Sequence, residues 1–528
     1  MRVLFLMDSP EYLRFYDTVV EELAARGHEI SIAVNFQNAK KPVGVEGLRA
    51  YGDRVRVLGV VPARHGIWNE AAHAVRATMD FVRFLHPTFA HAPALRARIK
   101  RKVLPRVYHG LDRIHSLTPE TVKRTERRLM AAERAIPLHG PIVGFLREQA
   151  PDVLLVSPLV AAASEQVDWI RAARACGIRT AVCVASWDNL TNKGLLRVEP
   201  DLVLVWNEAQ CREAREFHYI PEEKVRLTGA QLFDKWFARS VTLDREAFCR
   251  RAGLPDSGPF VLFTGSSSFI SESSAEVAFV RRWIAALRSS SLPELRSVNV
   301  LVRPHPYNFH RWADRPVADL PGVAVYPGQS YNPVSPESRN DFYDSMSHSA
   351  AVVGINTSAM VEAAIIGRPV CSMLAEEFTD SQEGTIHFRH LLPEHGGFLR
   401  IAATLEEHVA QLGLCLQHPE QTRAETARFV ASFIRPHGID RPATPIFVDA
   451  VEALAAGPAP APEPSSASRY LLRPLVLAAT FPVVIDDWVR EPSHRQRLRK
   501  QVSSWSKRSA KRVSKARHRW SKYLRKAF

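Results

Sequence analysis

The sequence predicts an α/β protein built from two doubly wound parallel sheets, with a helical insertion in the first and a basic tail at the carboxyl end. Short apolar runs alternate with helical patterns in two successive series, which is typical of parallel sheets covered on both faces. A length of 528 residues, with 46% hydrophobic and 24% charged residues, accommodates two or more folded domains. This composition excludes a disordered chain and a polytopic membrane protein.

The first domain is predicted over residues 1–240. It begins as a βαβ unit, in which an apolar run is followed by a helical pattern ending at Gly27 and by a second apolar run. Its predicted strands lie at residues 3–7, 30–34, 55–61, 153–156, 180–184, 202–206 and 225–227. Residues 64–150 are rich in helix formers and carry sixteen Lys/Arg against seven Asp/Glu, which predicts a basic helical insertion.

The second domain is predicted over residues 241–455. A helical pattern at residues 244–252 precedes a further series of apolar runs, which predict strands at residues 260–264, 298–302, 323–326, 351–354 and 370–373. Residues 456–468 consist mostly of Pro, Ala and Ser and are predicted to be an extended linker. The tail is predicted over residues 469–528.

Almost all of the net charge of +15 belongs to this tail. Residues 489–528 contain fifteen Lys/Arg and one acidic residue, Glu491, so the rest of the chain is nearly neutral. Trp505 and Trp520 lie among these cations, which suits an amphipathic segment on anionic lipid. Nucleic-acid binding is not expected because no nucleic-acid motif accompanies the charge, and a solvated tail stays an open alternative.

The expected location is cytoplasmic, peripheral at the inner face of the membrane. The six cysteines are scattered, with no paired spacing, which indicates reduced thiols. No apolar run approaches the roughly 20 residues that span a bilayer. Membrane contact is therefore expected to be peripheral.

Several motifs are absent from the sequence. It contains no phosphate loop, no G-x-G-x-x-G, no nucleophile elbow and no H-E-x-x-H. Without these motifs, the sequence lacks the main evidence for an ATPase, a dehydrogenase, a serine hydrolase or a zinc protease. An Asp-x-Asp pair is also missing, and His387 and His390 lack a nearby carboxylate motif, so no metal site is expected.

The most informative segment is the turn Asn356-Thr357-Ser358, between an apolar run and a helical pattern. A turn at the carboxyl end of a parallel strand and the start of a helix is where α/β proteins bind phosphate. Glu362 lies one helical turn beyond Ser358, so we expect it on an exposed helix face, accepting hydrogen bonds from a ribose. An ordinary helix cap with a solvated glutamate stays an alternative.

Two other predicted strand ends carry candidate phosphate ligands. Arg303 and His305 alternate with Pro304 and Pro306, which fix the local backbone, and both side chains can donate to phosphate oxygens. The Gly/Ser turn at residues 265–268 offers backbone N–H groups and Ser266. A turn-capping histidine and a plain polar loop are the structural alternatives.

These motifs resemble the GT-B glycosyltransferases, and within them the branch of CDP-glycerol glycerophosphotransferases and capsule-polysaccharide transferases. The resemblance rests on residues 303–306, residues 356–369 and the Leu-Thr-Gly-Ala turn at residues 227–230. It implies two Rossmann-like domains, the second holding a nucleotide-activated donor and the first the acceptor. It further implies metal-independent transfer with no cofactor besides the donor, in which His305 contacts the diphosphate, Thr357 and Ser358 the phosphates, and Glu362 the ribose.

Three carboxylates in the first domain are candidates for the general base. Asp188 lies in a polar loop after a predicted strand, where it can take or position an acceptor proton. Asp8 and Glu11 lie in the first loop, where several GT-B enzymes place a catalytic or acceptor-binding residue. A buried structural turn around Asp188 and helix-start acids at positions 8 and 11 are the alternatives.

The sequence thus predicts a transferase that moves a sugar or glycerol-phosphate group to a cell-surface polysaccharide or lipid-linked acceptor. One alternative is a nucleotide-sugar 2-epimerase. The related epimerases usually carry a Thr-x-His-Arg-x-Glu-Asn run where this chain has Thr264-Gly-Ser-Ser-Ser. A second alternative is a GT-B module that binds polysaccharide or membrane without turnover.

Overall fold

The structure is a computed structural model that describes residues 1–35, 52–267, 273–314, 316–317, 319–329, 335–460 and 467–490. Within these residues the chain forms two parallel sheets, one of seven strands and one of six. Helices cover both faces of each sheet. The predicted fold class is therefore confirmed, including the helical insertion.

The first sheet has the strand order β3-β2-β1-β4-β5-β6-β7. Its strands are β1 (Arg2–Met7), β2 (Glu29–Val34), β3 (Val55–Val60), β4 (Val153–Ser157), β5 (Arg179–Cys183), β6 (Leu202–Val205) and β7 (Val225–Leu227). The central strands form because their apolar side chains are buried on both faces, and Phe5 of β1 pairs with Ile32 of β2 and Leu155 of β4. The edge strands β3 and β7 are more exposed. The helices of this unit are α1 (Asp17–Ala25), α2 (Ile67–Arg83), α3 (Pro93–Lys102), α4 (Pro119–Ala135), α5 (Gly140–Gln149), α6 (Gln166–Ala175), α7 (Asn189–Asn192), α8 (Glu208–His218) and α9 (Asp234–Phe237).

The insertion comprises α2 to α5 and is joined to the first sheet by buried ion pairs. The Arg76 guanidinium of α2 contacts Glu133 of α4 at 2.8 Å and Asp168 of α6 at 3.1 Å. Arg64 contacts the same Asp168 at 2.7 Å. Because all of these side chains are buried, each charge depends on its partners to offset its desolvation.

The second sheet has the strand order β10-β9-β8-β11-β12-β13. Its strands are β8 (Phe260–Thr264), β9 (Asn299–Arg303), β10 (Val323–Val325), β11 (Ala351–Gly354), β12 (Val370–Met373) and β13 (Arg400–Ala402). Its helices are α10 (Arg245–Ala252), α11 (Ser273–Arg288), α12 (Pro293–Ser297), α13 (Pro336–Ser347), α14 (Ser358–Ile366), α15 (Leu405–Gln417) and α16 (Glu420–Phe429). The edge strand β13 was not predicted, because three residues are too few to show a strand pattern.

The predicted range of the second domain, residues 241–455, includes a last helix that packs on the first unit. Helix α17 (Ala443–Ala456) packs against α1 of the first unit, and its Phe447, Val448 and Val451 belong to the core of the first sheet. The chain thus returns to the unit where it began. Gly229, which follows β7, allows this return because it has a φ of +89° and a Cβ there would lie 2.8 Å from the Cβ of Ala443.

The predicted tail needs correcting at its start. Residues 467–490 form helix α18 (Ala467–Arg490), which packs against α2 and α4 of the insertion. Residues 461–466 of the predicted linker and 491–528 of the tail lie outside the described residues. No described helix combines the length and the apolar character that crossing a bilayer requires.

We expect Gly229→Ala to destabilise the protein more than the matched control Gly253→Ala. Both glycines have a positive φ, +89° and +76°, so both substitutions carry the left-handed backbone penalty of about 1–2 kcal/mol. A Cβ at Gly253 meets nothing within 4 Å, whereas one at Gly229 collides with Ala443. The collision adds about 1–3 kcal/mol, measurable by urea unfolding. Equal losses in the two variants would contradict the packing of α17 against this turn.

Candidate functional site

A cavity of about 410 Å³ lies between the two sheets and is lined by both units. The second unit contributes the carboxyl ends of β8 and β9 and the amino end of α14. The first unit contributes the loop after β5 and the 3₁₀ segment Pro10–Phe15 that follows β1. A ligand in this cavity would therefore contact residues that are more than 300 positions apart in the sequence.

Two glycines allow the strand ends at the floor of the cavity to approach each other. A Cβ on Gly265, after β8, would lie 2.8 Å from the backbone nitrogen of His305. A Cβ on Gly354, at the end of β11, would lie 2.9 Å from Oγ1 of Thr264. Any larger residue at either position would push the strand ends apart, so glycine sets the shape of the floor.

Helix α14 begins at this floor. Thr357 is its N-cap, and the side chain accepts a 3.5 Å hydrogen bond from the N–H of Ala359. Ser358 is the first helical residue, and its Oγ accepts a 3.2 Å hydrogen bond from the indole N–H of Trp187 in the first unit. Thr357 and Ser358 both line the cavity, so the positive end of the helix dipole lies beside it.

Glu362 lines the same cavity one turn farther along α14. The expectation of an exposed helix face is wrong: Glu362 is half-buried, because α9 of the first unit packs against α14. Burial raises the pKa of Glu362 to about 8, and the positive charge of Arg14 only partly opposes this shift. In the absence of a ligand, the carboxyl group is therefore mostly protonated at neutral pH.

Arg14 is a cavity residue that the sequence did not single out. It lies in the 3₁₀ segment Pro10–Phe15, and its guanidinium packs over the Phe15 ring at 4.6 Å. Its buried Nε has no hydrogen-bond partner among the described residues. The charge of Arg14 also helps to lower the pKa of His305. A lone arginine in the first βα loop was the only signal available, and it is a weak one.

His305 lines the cavity as a neutral side chain. Burial, assisted by Arg14, lowers the pKa of His305 to about 4. Its Nδ1 accepts a 3.2 Å hydrogen bond from the N–H of Tyr307, which assigns the ring proton to Nε2. His305 can therefore act as a neutral donor toward an anion.

Arg303, predicted to be a phosphate ligand, lines the cavity, but its charge already has a protein partner. Both terminal nitrogens of its buried guanidinium lie 3.1 Å from Oδ2 of Asp341 on α13. The other oxygen of Asp341 accepts a 2.6 Å hydrogen bond from the hydroxyl of Tyr326. Arg303 is thus a neutralised group that fixes the end of β9 against α13.

Ser266 also differs from its prediction. It is fully buried and does not line the cavity, whereas its neighbours Gly265 and Ser267 do. Its N–H donates to Glu276 at 2.7 Å, and its carbonyl oxygen accepts from the side chain of Asn308 at 2.7 Å. These contacts hold the turn in place. Ser268, at the end of the predicted turn, lies outside the described residues.

Asn356 is a buried residue of the cavity wall, and its amide nitrogen donates to the carbonyl oxygen of Ser381 at 2.6 Å and lies 3.2 Å from Nε2 of His387. Asn192 of the first unit contacts the other ring nitrogen of His387 at 2.8 Å, and the Trp187 ring meets the imidazole edge-on at 4.6 Å. His387, which the sequence did not single out for the cavity, is therefore a buried link between the units. Asn356 orients this link through its amide nitrogen, and its contact with a phosphate stays a prediction.

Of the three candidate carboxylates, Asp188 alone lines this cavity. Burial tends to raise the pKa of Asp188, but Lys193 and other neighbours outweigh it and hold the pKa below its ordinary value. Burial raises the pKa of Asp8, which lies outside the lining. Glu11 also lies outside the lining and accepts a 3.2 Å hydrogen bond from the Tyr307 hydroxyl, so it joins the units.

The described residues contain no group of three or more His, Cys, Asp or Glu side chains that could hold a metal ion. His387 contacts two asparagines, and His390 contacts Glu213 at 2.7 Å. Both histidines therefore have protein partners that account for their burial.

Comparison with known proteins finds no matching family model and no matching curated protein. Solved structures do match. UDP-GlcNAc 2-epimerases from Neisseria meningitidis and Methanocaldococcus jannaschii are 13% and 12% identical, with TM-scores of 0.47 and 0.48. A glycosyltransferase from Rickettsia africae is 10% identical, with a TM-score of 0.49. Each comparison covers 86% of this chain and at least 99% of the other.

We expect Glu362→Gln to stabilise the protein increasingly as the pH rises from 5 to 9. The pKa of Glu362 is about 8 in the folded protein, against an ordinary value of 4.5 for a solvated glutamate. Between these two pH values the folded state therefore binds more protons than the unfolded state does. The wild-type side chain therefore lowers the free energy of unfolding progressively from pH 4.5 to 8, and glutamine removes this loss. Thermal unfolding midpoints at pH 5, 7 and 9 measure the difference.

The matched control is Glu394→Gln, at an exposed position. We expect this control to track the wild type at all three pH values. A Glu362→Gln midpoint that differs from the wild type by the same amount at pH 5 and pH 9 would contradict the burial of the Glu362 carboxyl group.

Proposed function

We propose that this protein is a GT-B type transferase that moves a sugar, or a glycerol-phosphate-like group, from a nucleotide-activated donor to a cell-surface polysaccharide or lipid-linked acceptor. The observation that carries the proposal is the composition of the cavity. One wall has a helix amino end, a neutral histidine and a protonated glutamate, and the other has Arg14 and the ionised Asp188. We place the reaction at the cytoplasmic face of the membrane, with no metal and no cofactor besides the donor.

The donor diphosphate fits the amino end of α14. The free N–H groups of the first helical turn and the helix dipole both favour an anion there. Arg14 adds a full positive charge, and its unpartnered Nε–H can donate to a phosphate oxygen. Thr357 and Ser358 supply hydroxyl groups at the same position.

Glu362 fits the ribose of the donor. It lies one turn from Ser358, so a diphosphate at the helix start would leave the ribose diol near its carboxyl group. Two hydroxyl donors favour the ionised form of a carboxyl group. Nucleotide binding would then release the proton that Glu362 holds at neutral pH because of its raised pKa.

The chemistry would follow from the two facing walls. Asp188 accepts the proton of the acceptor hydroxyl while the acceptor oxygen forms a bond to the donor carbon. In sugar transfer the bond from that carbon to the phosphate oxygen breaks, and the nucleoside phosphate leaves with the bonding electrons. In glycerol-phosphate transfer the acceptor oxygen instead bonds to the phosphorus of the transferred group, the bond from that phosphorus to the bridging oxygen breaks, and the nucleoside monophosphate leaves with the bonding electrons. His305 Nε2–H and Arg14 stabilise the charge that develops on the leaving group, which is where a transferase gains most of its rate.

The test of the proposal starts with nucleotide binding. We expect at least one of UDP, GDP, CDP, dTDP and CMP to raise the thermal unfolding midpoint, because a ligand of the folded state stabilises it. Glu362→Ala should weaken binding of that nucleotide by about 1–3 kcal/mol, since it removes hydrogen bonds to the ribose. The exposed Glu394→Ala is the matched control and should bind with wild-type affinity.

A radiolabelled donor of the same nucleotide then distinguishes the reactions. A labelled acceptor conjugate supports the transferase. An isomerised nucleotide sugar would contradict the transferase and support the epimerase alternative. Nucleotide binding without turnover would support the non-catalytic binding module. If none of the five nucleotides changes the midpoint, the donor site is wrong.

A further inference from the structure

Helix α18 presents an apolar surface to the solvent. We call Tyr470, Leu471, Leu475, Phe481 and Ile485 its outer face; these side chains are between 45% and 73% exposed. The other exposed residues in the described part of the helix are Pro474, Ala478, Ala479 and Pro482. Every exposed residue there is apolar, and a continuous surface of this kind on a soluble body usually marks an interaction site.

The opposite side of α18 is fixed to the insertion. Val476 and Val483 are buried, and Val476 belongs to a small core with residues of α2 and α4. The guanidinium of Arg473 donates to the carbonyl oxygen of Ala135 at 3.1 Å. The hydroxyl of Tyr108 donates to the carbonyl oxygen of Ala479 at 2.7 Å. Because these contacts hold the helix in one orientation, the outer face cannot turn inward.

Positive charge borders the outer face. The 3₁₀ segment Arg106–Arg113 packs against α18, and Arg106 and Arg113 are both exposed. Val107 in the same segment is 40% exposed, which extends the apolar surface. In the sequence, residues 491–528 follow directly after α18 and contain fourteen Lys/Arg and one acidic residue. An apolar surface bordered by cations is complementary to anionic lipid, whose acyl chains are apolar and whose headgroups are negative.

We infer that the outer face of α18 docks the folded protein on an anionic bilayer, with its apolar side chains in the boundary between headgroups and acyl chains. The helix has 24 residues and is about 36 Å long, so it can lie in the plane of the surface. The proposed membrane contact thus lies on α18, which is fixed to the insertion, as well as on the basic tail. It does not depend on which reaction the cavity catalyses.

A second copy of the chain is the competing occupant of the outer face. Each copy carries fourteen Lys/Arg and one acidic residue in residues 491–528, so pairing two copies would double that positive charge. Like charges repel, so such a dimer would be opposed electrostatically, whereas anionic lipid would be favoured. The bilayer is therefore the occupant that the charge distribution supports.

The experiment uses the full-length chain and the double variant Leu475→Glu/Phe481→Glu. The matched control is Leu414→Glu on α15, where the leucine is 55% exposed but far from α18 in the fold. Binding is measured by flotation with vesicles of phosphatidylglycerol and phosphatidylcholine, and with phosphatidylcholine alone, at 0.1 M and 0.5 M salt. High salt screens the charge attraction of the tail and leaves the apolar contribution.

We expect the wild type and Leu414→Glu to bind phosphatidylglycerol vesicles alike and to keep measurable binding at 0.5 M salt. The double variant should partition at least tenfold less at both salt concentrations, because two apolar side chains no longer leave water. If the double variant binds vesicles as strongly as the wild type does, the proposal is overturned and the basic tail alone accounts for membrane binding. Sedimentation could instead show a concentration-dependent dimer of the wild type that the double variant does not form. If vesicle binding is then unchanged in the double variant, the outer face binds a second copy of the chain.

Discussion

The close approach of three parallel strand ends is the constraint on which the candidate site depends. Strands β8, β9 and β11 are neighbours or next neighbours in the second sheet, and their carboxyl ends reach the same edge. Gly265 and Gly354 permit backbone and side-chain contacts there that any Cβ would prevent. The amino end of α14 is consequently brought against the loop that contains His305.

The second feature of the site is that it is shared between the units. Trp187 contacts Ser358, Asn192 contacts His387, and Glu11 contacts Tyr307 across the cleft. These contacts join the two walls of the cavity, which Glu362 and His305 both line. Burial is the first cause of the raised pKa of Glu362 and the lowered pKa of His305. The protonation states that we assign therefore follow from the burial of these two side chains and from the charge of Arg14.

The sheets and the start of α14 could be predicted from the sequence because their signals are local. Buried strands are continuous apolar runs, and a polar turn before a helix pattern indicates a cap. The partners of charged residues could not be predicted in this way. Arg303 is bound by Asp341, 38 positions later, and only the packing of α13 against β9 brings them together. Glu362 was expected to be exposed because its spacing cannot show that α9, more than 120 positions earlier, covers it.

The same limit explains the corrections at the carboxyl end. A proline- and alanine-rich segment predicts a linker, but its composition does not show that α17 before it and α18 after it both pack on the first unit. Their apolar faces carry no information about which sheet or helix they will meet. Arg14 and His387 were missed for a similar reason, since the sequence does not show that both line the same cavity, to which each unit contributes one of them.

The most direct measurement is a crystal structure of the protein with the nucleoside diphosphate that raises its unfolding midpoint most. We expect the diphosphate oxygens within hydrogen-bond distance of the first N–H groups of α14 and of the Arg14 guanidinium, with the ribose against Glu362. A nucleotide bound at the carboxyl ends of the first sheet, with α14 and Arg14 unoccupied, would contradict the assignment of the donor site.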